Sequence, residues 1–236
     1  MAETLLEIRA LRGGYGGKPV LQGVDLDVRQ GEIVAVIGRN GVGKTTLLRT
    51  VMGLLPVSAG SVRFRGAELG RLAAHRRARL GIGYVPQGRE VFPRMTVEEN
   101  LRVGERISGR AAPEDYAEVY ALFPILQERR AQRAGTLSGG QQQQLAIGRV
   151  LVGRPDLILL DEPSEGIQPN IVQEIGRIAV ALNRRTGVTI VLVEQNLDLI
   201  RATAGRGYVM DKGRVTAELA PEALADRETV RRHLAA

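Results

Sequence analysis

Three short segments of this 236-residue chain carry residue types and spacings suited to phosphate chemistry. Gly38-Arg39-Asn40-Gly41-Val42-Gly43-Lys44-Thr45 fits the pattern G-x-x-x-x-G-K-[ST]. Its glycines let the backbone wrap a phosphate with N–H groups, and a helix starting behind them offers its positive end. Lys44 is placed to reach the β- and γ-phosphates of a nucleoside triphosphate, and the Thr45 hydroxyl to hold Mg²⁺. A second segment, Leu157-Ile158-Leu159-Leu160-Asp161-Glu162, ends an apolar run in two carboxylates. Asp161 would bind Mg²⁺ directly or through water; Glu162 would orient or deprotonate an attacking water, a role worth about 10²–10⁴-fold in rate. Alone, such a pair reads as easily as a helix cap and a first-turn acid; the loop tips the balance. In the third, Leu137-Ser138-Gly139-Gly140-Gln141, a Ser and two Gly precede a helix and form another anion-binding N-terminus. One triphosphate needs one cradle, so a second implies that phosphate is gripped from two sides.

These segments need a scaffold, and the patterning supplies it. Glu32–Ile37 is a near-continuous apolar run, as in a strand buried on both faces. The loop follows it, and Thr45–Met52 reads as a helix. Leu5–Val28 alternates around Gly13–Gly17 and predicts short antiparallel strands about a turn. Further strands are expected at Ser61–Phe64, Gly83–Val85, Leu157–Leu160 and Thr189–Val193, with a final hairpin from Gly207–Met210 and Arg214–Glu218. Val97–Val103, Pro113–Phe123 and Ile125–Arg130 have helical spacing and many charges, predicting an inserted helical subdomain. Gln141–Val152 and the amphipathic Asn170–Arg184 complete the helices, with most of Gln141–Gln144 read as solvated. Pro221–Ala236 suffices for one or two short helices, with no appended regulatory domain expected. Strands alternating with helices imply a mainly parallel α/β sheet.

Composition narrows the chemistry. Cysteine is absent, which excludes disulfides and thiolate metal sites. His75 and His233 are too far apart to suggest a local ligand pair. No apolar run approaches the roughly 18 residues that span a bilayer. Met1-Ala2-Glu3-Thr4 has no secretory character, so a cytoplasmic protein is the expectation. The net charge of +7 attracts polyanions without specificity, but basic residues are spread out, with loose clusters at Arg63–Arg79 and Arg129–Arg133. Five Tyr, three Phe and no Trp leave few stacking platforms, so no specific nucleic-acid partner is expected.

With the loop, the Ser-Gly-Gly segment and the Asp-Glu strand in this order and spacing, the chain resembles the ATP-binding-cassette (ABC) ATPases over nearly its whole length. The resemblance implies a single domain, residues 1–236, with a P-loop NTPase (RecA-like) core, an N-terminal antiparallel β subdomain and a helical subdomain at approximately 94–152. It implies ATP and Mg²⁺ as ligands. Gly38, Arg39, Asn40, Gly41, Val42, Gly43, Lys44, Thr45 and Thr46 would bind the phosphates, and Tyr15 would stack on adenine, against the plainer reading of a half-buried strand aromatic. Gln87, in Tyr84-Val85-Pro86-Gln87, would contact Mg²⁺ or water, joining Thr45 and Asp161 at the metal. Ser138, Gly139, Gly140 and Gln141 would close ATP held by a second cassette in a head-to-tail pair. Partner permeases would dock near Gln87 and the helical subdomain, served by a periplasmic binding protein, with the chain peripheral on the cytoplasmic side of the inner membrane.

Two positions depart from the family pattern. Gln195, after Ile190–Glu194, stands where most members carry a histidine contacting the γ-phosphate, and Gln168 stands at the usual aspartate of the interface loop. A Gln amide still donates to a phosphate oxygen, but it cannot exchange a proton near neutrality. The resemblance therefore implies slowed turnover at this chain's own site; where the second cassette is a paralogue carrying the histidine, rather than a second copy of this chain, its site, closed by Ser138–Gly140, would be the faster one. Val193-Glu194-Gln195-Asn196 resembles the branched-chain amino-acid uptake branch. Tyr84–Pro93 and Glu165-Gly166-Ile167-Gln168-Pro169 are closer to its urea and short-chain amide members, whose cargo is favoured on resemblance alone. A DNA-repair cassette would need coiled-coil arms or zinc cysteines, and a translation-factor cassette two copies of the motif set. A regulatory cassette that binds ATP without splitting it is opposed by Glu162 and left open by Gln168 and Gln195.

Overall fold

The computed structural model describes residues 3–110 and 112–235. Met1, Ala2, Ala236 and the His233 side chain, weighed above, lie outside the described residues.

The chain opens with β1 (Thr4–Tyr15) and β2 (Lys18–Arg29), then β3 (Ile33–Ile37) and α1 (Lys44–Met52). β4 (Val57–Phe64), β5 (Ala67–Glu68), α2 (Ala74–Arg79) and β6 (Ile82–Val85) follow. The helical segment comprises α3 (Val97–Ser108), α4 (Pro113–Leu122), α5 (Pro124–Glu128), a 3-10 turn at Ala134–Thr136, and α6 (Gly139–Leu151). The core then resumes with β7 (Leu157–Asp161), α7 (Pro169–Thr186), β8 (Thr189–Glu194) and α8 (Leu197–Thr203). β9 (Arg206–Asp211), β10 (Arg214–Leu219), α9 (Pro221–Ala225) and α10 (Arg227–Ala235) close it.

Two sheets form. One is antiparallel, in the order β2-β1-β4-β5; the other has six strands, in the order β10-β9-β3-β8-β7-β6, all parallel except β10. β3, β7 and β8 are buried at every position. Their side chains divide by parity. Val34, Val36, Leu157, Leu159, Val191 and Val193 join α1 and the antiparallel sheet in one core, while Ile158, Leu160, Ile190 and Leu192 pack with α5, α6 and α7 in another. Each such aliphatic contributes about 1.5–3 kcal/mol of burial. The apolar runs therefore lack an alternation visible in sequence because both faces are covered.

Three expectations need correcting. β1 and β2 are twelve-residue strands rather than short ones, because Gly13 and Gly14 stay paired with Leu21 and Pro19 across a register shift, and only Gly16 and Gly17 turn. None of Gln141–Gln144 is exposed. Gln143 and Gln144 are buried, since α6 runs between the helical segment and the sheet, and Gln142 Nε2 donates to the Ala134 carbonyl at 3.1 Å. α2, α8 and β5 were not foreseen; at two to seven residues, they are too short to show a period.

The subunits of the fold are tied at one carboxylate. Asp156, just before β7, accepts from Arg65 of the β4–β5 turn at 2.8 Å and from Arg110, past α3, at 2.7 Å.

Candidate functional site

The loop between β3 and α1 is held from below. The Gly213 N–H, in the β9–β10 turn, donates to the Val42 carbonyl at 2.9 Å. A Cβ on Gly38 would lie 2.5 Å from the Met210 carbonyl oxygen, and Gly43, at the N-cap of α1, has φ of 111°. Glycine is needed at both, for clearance at one and for backbone conformation at the other.

Lys44 is buried, and its Nζ donates to the Gly38 and Arg39 carbonyls at 2.8 and 2.9 Å. It also pairs with Glu162 Oε1 at 3.2 Å. Glu162 has φ of 46°, a left-handed conformation that is strained for a side chain of its kind, while its N–H donates to the Val193 carbonyl at 2.9 Å. The turn leaving β7 thus points this carboxylate back at the lysine. Thr45 Oγ1 donates to Asp161 Oδ1 at 3.0 Å, and Tyr84 OH donates to Oδ2 at 3.0 Å. Burial pushes the Asp161 carboxyl above its ordinary value, and the bonds from Thr45 and Tyr84 oppose that shift. Thr45 and Asp161 supply hard oxygen donors at the mouth of the loop, a set that fits Mg²⁺ with water and phosphate oxygens as its other ligands.

Tyr15 is exposed at the end of β1. Arg49, one turn after Thr45 on α1, has a guanidinium pKa raised chiefly by hydrogen bonding to Tyr84 and also by bonding to Tyr15.

Other predicted residues lie apart from this cluster. Ser138 caps α6 reciprocally with Gln141: the Gln141 N–H donates to Ser138 Oγ at 3.4 Å and the Ser138 N–H to Gln141 Oε1 at 3.0 Å. No hydrogen bond or ion pair among the described residues joins Ser138–Gln141 to Lys44, Thr45, Asp161 or Glu162. Gln87 is exposed, and its Nε2 donates to Glu165 Oε2 at 2.9 Å. Arg89 bonds the carbonyls of Glu165 and Gly166 at 3.4 and 3.2 Å and crowds Gly139, where a Cβ would lie 2.9 Å from its NH1. Gln195 and Gln168 are both exposed.

Four contributors escaped the sequence reading: Tyr84, Arg49, Arg89 and Glu194. Glu194 ends β8 fully buried; its Oε1 accepts from the Gln195 and Asn196 N–H groups at 2.9 and 3.0 Å, and its Oε2 from the Ser164 N–H at 3.2 Å. A carboxylate ending an apolar strand was its one sequence signal.

A parallel sheet whose strand-end loop places lysine and threonine against an Asp-Glu pair defines a P-loop NTPase fold. Residues 21–165 match the family model described as ABC transporter. The chain is 47% identical over 221 residues to the high-affinity branched-chain amino acid transport ATP-binding protein BraG of Pseudomonas aeruginosa, covering 92% of this chain and 93% of that one. It is 36% identical over 212 residues to the probable branched-chain amino acid transport ATP-binding protein LivF of Archaeoglobus fulgidus, covering 89% and 90%. Among solved structures, a nucleotide-free ATP-binding cassette from an ABC transporter superposes with a TM-score of 0.85 at 27% identity, over 98% of this chain and 99% of that chain. The chain belongs to the ABC transporter family and is one of its ATP-binding-cassette ATPases.

Proposed function

We propose that this chain is the ATP-hydrolysing subunit of an importer for branched-chain amino acids or chemically related small solutes. The observation that carries the reading is the convergence of Lys44, Thr45, Asp161 and Glu162 at the ends of β3 and β7. The N–H groups of Gly38–Gly43 and Thr46 wrap the phosphates, and Lys44 exchanges its bond to Glu162 for one to a phosphate oxygen. That exchange frees Glu162 to orient water or accept its proton. Thr45 and Asp161, with Gln87 once it leaves Glu165, would hold Mg²⁺, which would supply charge neutralisation to the phosphates. Gln195 donates to the γ-phosphate and Tyr15 stacks on the base.

Ser138–Gln141 serve a second cassette, which fits their separation from this chain's own lysine. A groove of about 580 Å³ between the core and the helical segment, lined by Leu54, Phe92, Ile107 and Arg149 beside the Gln87 loop, is the surface offered to a permease. Among the described residues no helix is long and apolar enough to cross a membrane. On the likeness to transport ATP-binding proteins, the chain acts from the cytoplasmic face through such a contact.

The similarity to BraG supports a branched-chain amino-acid cargo; the interface loop Glu165–Pro169 supports urea or a short-chain amide. Transport assays in vesicles containing the co-purified permeases separate the two. For the chemistry, phosphate release is measured in the same assembly, where Glu162→Gln is expected to retain ATP and lose about 10²–10⁴-fold in rate. Wild-type turnover from Glu162→Gln overturns the assignment.

A further inference from the structure

We propose that Tyr84 is a positioning residue for the metal-holding carboxylate: its hydroxyl fixes Asp161 in the orientation that presents Oδ1 to Thr45. The inference rests on the nucleotide reading given above and deepens it at a residue outside the loop and the Asp-Glu pair.

The sheet register sets up the contact. β6 is the edge strand beside β7, and Tyr84 pairs with Leu159. Side chains two apart on a strand share a face, so Leu157, Leu159 and Asp161 project to the side on which Tyr84 also lies. That is the α1 side, since Leu157 and Leu159 pack in one core with Leu47, Leu48 and Val51, and Tyr84 packs against the same core. α1 brings Thr45 to the carboxylate from that side.

Asp161 is 1% exposed, so each oxygen needs a donor from the protein. Oδ1 has Thr45 and Oδ2 has Tyr84, both at 3.0 Å. Without the phenol, the inner oxygen of a buried carboxylate loses its donor, and the group is free to turn toward Thr45 and share both oxygens with it. Partners one step behind a metal ligand set its orientation, and their loss typically weakens metal binding 10–100-fold.

Binding of a fluorescent ATP analogue to the full chain, titrated with Mg²⁺ from an EDTA-containing buffer, tests this. Mn²⁺ followed by electron paramagnetic resonance serves as a second probe. Tyr84→Phe keeps the ring and its packing and is expected to keep the metal-free affinity, with the unfolding temperature lowered by no more than about 10 °C for the lost donor. Its half-saturating Mg²⁺ concentration is expected to rise about tenfold, with the same shift for Mn²⁺. An unchanged metal midpoint overturns the inference. So does an equal loss of affinity with and without metal, which would make the hydroxyl a general support of the pocket. If the wild-type chain shows no metal-dependent nucleotide binding, the nucleotide reading itself fails, and this inference with it.

Discussion

The two ends of the candidate site are built differently. Around Lys44 and Asp161, the groups are buried, carry two or three partners each, and sit where fully buried strands end. Around Ser138, Gln87 and Glu165, the side chains are exposed, and the Ser138 Oγ and Gln87 Nε2 atoms each have one surface hydrogen bond. Buried, doubly held groups are fixed before a ligand arrives. Exposed, singly held groups exchange partners at small cost, because water replaces what they lose. The contrast suits a site completed by another molecule: one half is finished within the chain, and the other faces outward to meet its complement.

The sharpest way to break this contrast is at the buried end. Lys44→Ala removes the partner of a buried carboxylate and the phosphate ligand together. Unfolding measurements should show a loss on the order of 3 kcal/mol, and ATP binding should become undetectable by calorimetry. Retained ATP binding would refute the built-in half. Next in size, Ser138→Arg should leave ATP binding by the isolated chain unchanged while lowering hydrolysis in the assembled transporter about 100-fold, read by single turnover. A loss of binding in the isolated chain would show that the segment serves its own site.

Gln195→Ala should cost less, about tenfold in the same single-turnover assay, as befits one hydrogen bond to a charged oxygen. A larger loss than that of Ser138→Arg would overturn the asymmetry in which the partner's site turns over faster. Smallest of all, Glu165→Ala frees Gln87 and one anchor of the interface loop. The unfolding temperature should move by less than about 2 °C, since exposed substitutions stay within roughly 0.5 kcal/mol. A larger drop would show that the outward half is as rigid as the inner one.

What could be read without coordinates follows from how local each feature is. The loop was legible because its function depends on backbone conformation within eight consecutive residues, and glycine marks that conformation. β3, β7 and β8 were legible as buried strands because a run of aliphatics has few other uses. The length of β1 and β2 was not, because Gly13 and Gly14 look like turn residues until a partner strand holds them extended. Nor was the burial of Gln143 and Gln144, since a run of four glutamines looks solvated until helices close over it.

By itself, the sequence determined that this chain binds phosphate on a parallel α/β scaffold and that it belongs with ATP-binding cassettes, since each signature is a contiguous segment whose chemistry is local. Only the tertiary structure decided which groups hold those signatures in place. Thr45 meets Asp161 across 116 positions and Tyr84 meets it across 77, and both contacts exist because β7 lies beside β6 with α1 packed over its face. Strand order and register set such pairings, and neither is written in the residues that meet.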